Sequence, residues 1–326
     1  MDSRSKKILV ALVALFLVAG GAYVAVAALG PDRTTTEARP EASEVLAQTD
    51  LMVRAVDPAN PRLNGRVYEV DDGKVRRRSG DLACERVYYA GGRGICMGVA
   101  ASGVDYEATI FDSEMRPQHR LALTGFPSRA RVSDDGRLGA MTVFVSGDSY
   151  LQSPNAFSTR TTILDLESGR QIAQLEQFDV TRDGQSFDAV DFNFWGVTFT
   201  ADPNRFYATL GTDGDHYLVE GDVRRRSLRV LRDGVECPSL SPDEKRIAFK
   251  SRIGDERWRL RVLDLATLED HAVAEESSID DQVEWLDDET LAYSDERNVY
   301  TVPADGAGAA RLLVRDATSP VHLPPR

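Results

Sequence analysis

Four histidines, acidic pairs such as Asp280-Asp281 and one serine in a glycine-led pentapeptide are the residues from which hydrolytic or metal chemistry would have to be built. The pentapeptide Gly147-Asp148-Ser149-Tyr150-Leu151 lacks the closing glycine of a nucleophile elbow and sits on no strand-to-helix turn. His119, His216, His271 and His322 are far apart and show no metal-ligand spacing, so each reads as a surface or packed histidine. Asp280-Asp281 would serve glycosidase-type acid–base work only if a partner carboxylate converged on it. The sequence therefore assigns no catalytic residue, no metal ligand and no cofactor. What it offers is a binding set. Tyr150, Asn193, Trp195, Arg252, Asp280 and Asp281 combine an aromatic plate with polar forks, a lining suited to a small or sugar-like ligand.

Three cysteines, Cys84, Cys96 and Cys237, suggest one bridge and one spare thiol outside the cytoplasm. Cys84 and Cys96 flank one hairpin. If it is centred on Ala90 they face each other at a bridgeable spacing; a two-residue turn at Gly91-Gly92 would instead set Cys84 opposite Val99. The Cys84–Cys96 bridge is the expectation, with Cys84–Cys237 as the alternative.

The elements that position these residues are short. Runs such as Arg66-Val67-Tyr68-Glu69-Val70 and Arg246-Ile247-Ala248-Phe249-Lys250 alternate and are bounded by Gly, Pro, Asp or Asn, as antiparallel strands are. They recur. One anchor is a turn: Ser133-Asp134-Asp135-Gly136, Thr200-Ala201-Asp202-Pro203, Ser241-Pro242-Asp243-Glu244 and Leu286-Asp287-Asp288-Glu289, with Gly91-Gly92 as a weaker copy. The other is a hydrophobic strand end before a turn: Val70-Asp71, Phe111-Asp112, Leu164-Asp165, Val219-Glu220, Leu263-Asp264 and Val302-Pro303. Most steps are about 40–45 residues, the length of a four-stranded propeller blade, and longer steps place insertions near 147–160 and 177–194. Six copies predict an all-β, six-bladed β-propeller. The strand near 319–323 has no blade to follow and the strand at 51–56 lacks an inner partner, so the two are expected to close the ring together. Both anchors then project from one face, giving it many carboxylates that serve either as turn chemistry or as a cation- or partner-binding surface. The longer loops feed the opposite face, where the binding set is expected at the channel mouth.

Arg4, Lys6 and Lys7 precede an uncharged run over 8–29, long enough for a transmembrane helix. The positive-inside rule puts residues 1–7 in the cytoplasm, 30–50 in an extracytoplasmic linker and the propeller, 51–326, outside the cell membrane. A cleaved signal peptide is the rival reading, with Ala25-Val26-Ala27 as its cleavage site. A formal net charge of -13 argues against nucleic-acid binding.

The SPDE turn at 241–244, RIAFKSR at 246–252 and WRLRVLDL at 258–265 resemble the repeat of TolB-type propellers. CERVYYAGGRGIC (84–96), NFWGVTF (193–199), VECPSLSPDE (235–244) and DDQVEWLDD (280–288) extend the resemblance to membrane-anchored TolB-like proteins over 51–326. The chain departs from soluble TolB in its retained-looking anchor and in showing no extra N-terminal α/β domain. The expected function is a monomeric, membrane-tethered module that binds a protein or another cell-envelope component. The alternatives are a carbohydrate or small-ligand sensor and, less favoured, a hydrolase or lyase of envelope polymers.

Overall fold

The computed structural model describes residues 50–60, 62–71, 74–145 and 158–323. The proposed transmembrane helix, all but the last residue of the linker, the serine pentapeptide and Tyr150 lie outside them. Among the described residues no helix is long and apolar enough to cross a membrane.

The strands form six sheets arranged as a closed ring. Blade one holds β1 (Leu51–Ala55), β2 (Arg66–Asp71) and β3 (Lys74–Ala83). Blade two is β4 (Arg86–Ala90), β5 (Arg93–Val99), β6 (Tyr106–Asp112) and β7 (Pro117–Leu123). Blade three is β8 (Phe126–Val132), β9 (Leu138–Val145), β10 (Ser158–Asp165) and β11 (Arg170–Gln174). A 3-10 turn (Leu175–Gln177) and the hairpin β12 (Asp179–Arg182) and β13 (Gln185–Ser186) precede blade four, which is β14 (Asn193–Phe199), β15 (Arg205–Thr212), β16 (Asp215–Asp222) and β17 (Ser227–Asp233). Blade five is β18 (Glu236–Leu240), β19 (Arg246–Gly254), β20 (Arg257–Asp264) and β21 (Asp270–Ala272). Blade six is β22 (Glu284–Trp285), β23 (Thr290–Asp295), β24 (Asn298–Pro303) and β25 (Arg311–Val314). The last strand, β26 (Ala317–His322), returns to blade one as its innermost member, paired antiparallel to β1 from Leu51↔His322 to Ala55↔Ala317. The six blades and the composite closure agree with the repeat.

Burial follows position in the blade. Middle strands pack on both faces against neighbouring blades, so β5 and β9 are buried almost continuously. Outer strands such as β7 alternate between exposed and half-buried. The core lies between blades: Ile163 and Ala140 of blade three pack with Phe194, Phe206, Leu210 and Val219 of blade four.

Two details differ from expectation. Cys84 and Cys96 are bonded, Cα atoms 5.3 Å apart, yet the hairpin has the tight turn, with Ala90↔Arg93 and Val87↔Cys96 paired. The bridge forms because Cys84 lies ahead of β4, its amide held by the carbonyl of Gly65 rather than by the hairpin ladder. The second insertion does not line the channel mouth. Its hairpin adds to the outer edge of blade four, β12 running parallel to β17. Arg182 lies over the Tyr217 ring at 4.8 Å, and Phe187 packs edge-on to Phe192.

Candidate functional site

The innermost strand of each blade faces the channel with one unpaired edge, and several bulge there. Gly196, Cys237 and Ser319 take left-handed φ values of 64°, 50° and 53° within ladder shifts of β14, β18 and β26. Bulges free backbone groups, which the adjoining blade satisfies. The Cys237 amide donates to Thr209 Oγ1 (2.8 Å), Leu240 N to Thr198 Oγ1 (3.1 Å) and Ser319 N to Ser294 Oγ (3.0 Å). Trp285 Nε1 donates to the carbonyl of Ser239 (2.9 Å). Two bulges touch, since a Cβ on Gly196 would stand 2.7 Å from Cys237 Cα.

Glu284 ties the channel together. Its carboxylate accepts from Arg131 Nη1 of blade three (2.7 Å), Tyr88 OH of blade two (3.1 and 3.0 Å) and the His322 amide of the closing strand (3.1 Å). Arg131 also donates to Ser239 Oγ and the carbonyl of Val283, and lies over the Tyr88 ring at 4.4 Å. Burial pushes the Glu284 carboxyl up from its ordinary value, against Arg131 and the His322 amide. The sequence reading missed this triad. Its signal was a charge with apolar residues on both sides: Arg131 between Ala130 and Val132, and Glu284 between Val283 and Trp285.

Toward the loop-bearing mouth a chain of charges crosses blades three to six. Glu236 accepts from Trp258 Nε1 (2.9 Å), pairs with His216 Nδ1 (3.0 Å) and lies 3.6 Å from Lys250 Nζ. Lys250 also pairs with Asp280, which Arg129 reaches at 3.3 Å. Despite desolvation, Lys250 and Arg129 hold the Asp280 carboxyl below the usual range, and His216 with Lys250 does the same for Glu236. Arg86 and Arg129 both donate to the carbonyl of Ser128, at 2.7 and 2.9 Å. Burial, with Arg129 adding to it, lowers the Arg86 pKa.

The sequence-derived binding set is dispersed across this end. Asn193 clips blade four to blade three, accepting from Thr159 N (2.7 Å) and donating to Asp191 O (3.0 Å). Trp195 is a buried wedge, edge-on to His216 at 5.3 Å. Asp281 accepts from the amides of Gln282 and Ser294. Arg252 lies exposed at the tip of the β19–β20 hairpin. Asp280 joins the charge chain by direct contact, and the Asp281 carboxylate acts electrostatically on Arg129 and Arg86.

At the opposite mouth most aspartates are turn chemistry. Asp112, Asp135, Asp165, Asp202, Asp243, Asp264 and Asp287 each accept amides two to four residues on. Asp134 and Glu244 instead flank a cavity of about 300 Å³, lined also by Tyr88, Tyr89, Arg131, Trp285 and His322. Desolvation raises the Asp134 pKa against Arg131, with the Glu244 and Asp135 carboxylates adding to the rise. Among the described residues no cluster of His, Cys, Asp or Glu is arranged to hold a metal ion.

The faces differ in what they expose. Leu63, Val99, Val104, Phe126, Phe144, Val190 and Ile253 all stand at hairpins or blade connections of the loop-bearing face; Leu268, in a β20–β21 turn, is the one exposed large apolar residue described on the other. Phe126 and Phe144 pair directly across β8 and β9, with Tyr106 edge-on to Phe126 at 5.4 Å.

Among solved structures, TolB from Acinetobacter baumannii superposes with a TM-score of 0.55 at 13% identity, covering 84% of this chain and 66% of that one. The fold is that of a TolB-like propeller. A putative TolB from Agrobacterium tumefaciens gives 0.51 at 13% identity, covering 85% and 99%. A chain of a nidogen/laminin complex gives 0.54 at 9% identity, covering 84% and 98%. This chain thus spans slightly less than two thirds of the Acinetobacter protein. No protein-family model matches it, and no curated protein matches it in sequence.

Proposed function

We propose that the chain is a membrane-tethered, extracytoplasmic protein-interaction module that docks its partner on the loop-bearing face. The observation that carries this reading is that seven of the eight exposed large apolar side chains among the described residues, Leu268 being the exception, lie spaced around that face of the ring. Scattered exposed apolar residues are ordinary, but a one-sided set rimmed by polar loops marks an interaction surface. The entry of the chain supports the geometry. The Asp50 carbonyl accepts the Leu323 amide beside His322, so β1 begins on the turn side, opposite the docking face. The TolB and nidogen/laminin likenesses supply the fold on which such docking is built, at identities too low to transfer a partner.

The test is site-specific photo-crosslinking in intact cells, with the photoreactive residue at 126 or 253 on the loop side and at 167 or 289 on the turn side. Adducts with one protein from the loop-side positions are expected. Adducts from the turn side alone, or from neither, would remove the reading. A second reading, small-ligand sensing, is favoured by the cavity between Asp134 and Glu244. It predicts that small primary amines raise the melting temperature, and that Asp134→Asn abolishes the shift.

A further inference from the structure

We propose that the loop-bearing face takes a basic, amphipathic surface of its partner protein. The proposal rests on the docking reading above and adds the partner's chemistry.

The apolar component is spaced around the ring rather than gathered into one groove. Val104 stands on blade two, Phe126 on blade three, Val190 before blade four and Ile253 on blade five. The charge component comes from the hairpins joining the second and third strands of blades four to six. Their tips carry Asp213, Asp215, Asp255, Glu256, Asp295 and Glu296 against Arg252, Arg257 and Arg297. Arg297 is already paired with Asp316. The carboxylates of the turn side are mostly occupied by local amides, whereas Asp255 and Glu256 stand exposed at a hairpin tip beside exposed Ile253.

The sign of this charge selects among occupants. An anionic lipid surface or a nucleic acid would be repelled by the acidic hairpins at the distances where apolar contacts form. A second copy of this chain would bring the same sign against itself, since the formal charge is -13. A partner surface with Lys or Arg around apolar residues satisfies both components, with steering from the charge and residence time from the apolar contacts.

The experiment titrates the full chain, in uncharged detergent, into a fluorescently labelled amphipathic Lys/Leu helical peptide and into its Glu/Leu counterpart. Anisotropy is read at physiological and at high salt. The Lys/Leu peptide should bind and the Glu/Leu peptide should not, with binding weakened several-fold by high salt. Phe126→Ser with Ile253→Ser, and separately Asp255→Lys with Glu256→Lys, should each weaken binding about tenfold. The turn-side variants Glu167→Lys with Glu289→Lys, and Leu268→Ser, should stay within about twofold of the parent. Unchanged melting temperatures confirm that every variant is folded. Equal binding of the two peptides, equal losses from the turn-side variants, or loop-face binding to phosphatidylglycerol vesicles would each overturn the proposal. If loop-side crosslinks form in cells while peptide selectivity is absent, the partner chemistry is wrong and the docking reading stands. If the crosslinks are absent, the docking reading itself fails.

Discussion

Glu284 concentrates contacts from three other blades on one carboxylate, so its substitution separates charge from shape. Glu284→Ala leaves Arg131, only 6% exposed, without its counter-ion. Breaking a buried pair from one side costs about 3–5 kcal/mol. Glu284→Gln keeps an acceptor for Arg131 and Tyr88 and should lose clearly less; equal losses in urea titrations would mean that the charge, rather than the shape and hydrogen bonds that Gln retains, holds the channel. Asp280 offers a pH test. Its folded pKa lies below the ordinary 3.8, so its contribution is present above that value and disappears as pH falls through the folded one. Asp280→Asn should therefore differ from the parent at neutral pH and converge with it in acid. The effect should be about 1 kcal/mol at most, because the side chain is 55% exposed.

Among elements, the blade-two hairpin is held at both ends. The Cys84–Cys96 bond closes a loop of 12 residues in sequence separation. On the chain-entropy model its removal by Cys84→Ala with Cys96→Ala should cost about 3 kcal/mol, read as a lower urea midpoint. At the other end the Gly91 turn abuts the Gly136 turn of blade three. Gly91 has a φ of 53°, and a Cβ there would stand 2.2 Å from Gly136 N. Gly91→Ala should destabilise by about 1–3 kcal/mol through this clash and the left-handed backbone. If it proves neutral, the two turns are not in firm contact.

For the whole molecule, stability depends on closing the ring. Ending the chain after residue 316 removes β26, with buried Val321 and Leu323, and exposes the edge of β1. It also removes the amide that His322 donates to Glu284. Such a truncation should lose the single cooperative thermal transition, or aggregate. Retention of the parent melting temperature would show that β26 is dispensable for closure. The closing strand ends beside Asp50 on the turn side, and the proposed docking draws on several blades, so it belongs to the ring rather than to any one blade.

The Cys84–Cys96 pair was favoured over Cys84–Cys237 by the sequence and decided by the chain path ahead of β4, whereas the sequence by itself determined the blade count and the ring closure. These follow from local patterns: strand alternation, turn residues and a repeat near one blade length, each set by neighbours along the chain. It also supplied the turn-capping role of residues such as Asp135 and Asp243, which satisfy amides only a few positions away. The tertiary structure alone decided where charges from different blades meet. Arg131 and Glu284 are 153 residues apart, and no period in the chain encodes which inner-strand residues face each other across the channel. For the same reason Asn193, Trp195, Arg252, Asp280 and Asp281, all near one end of their blades, go to separate tasks. Bulge direction and packing against the next blade turn each side chain, and both depend on contacts distant in sequence.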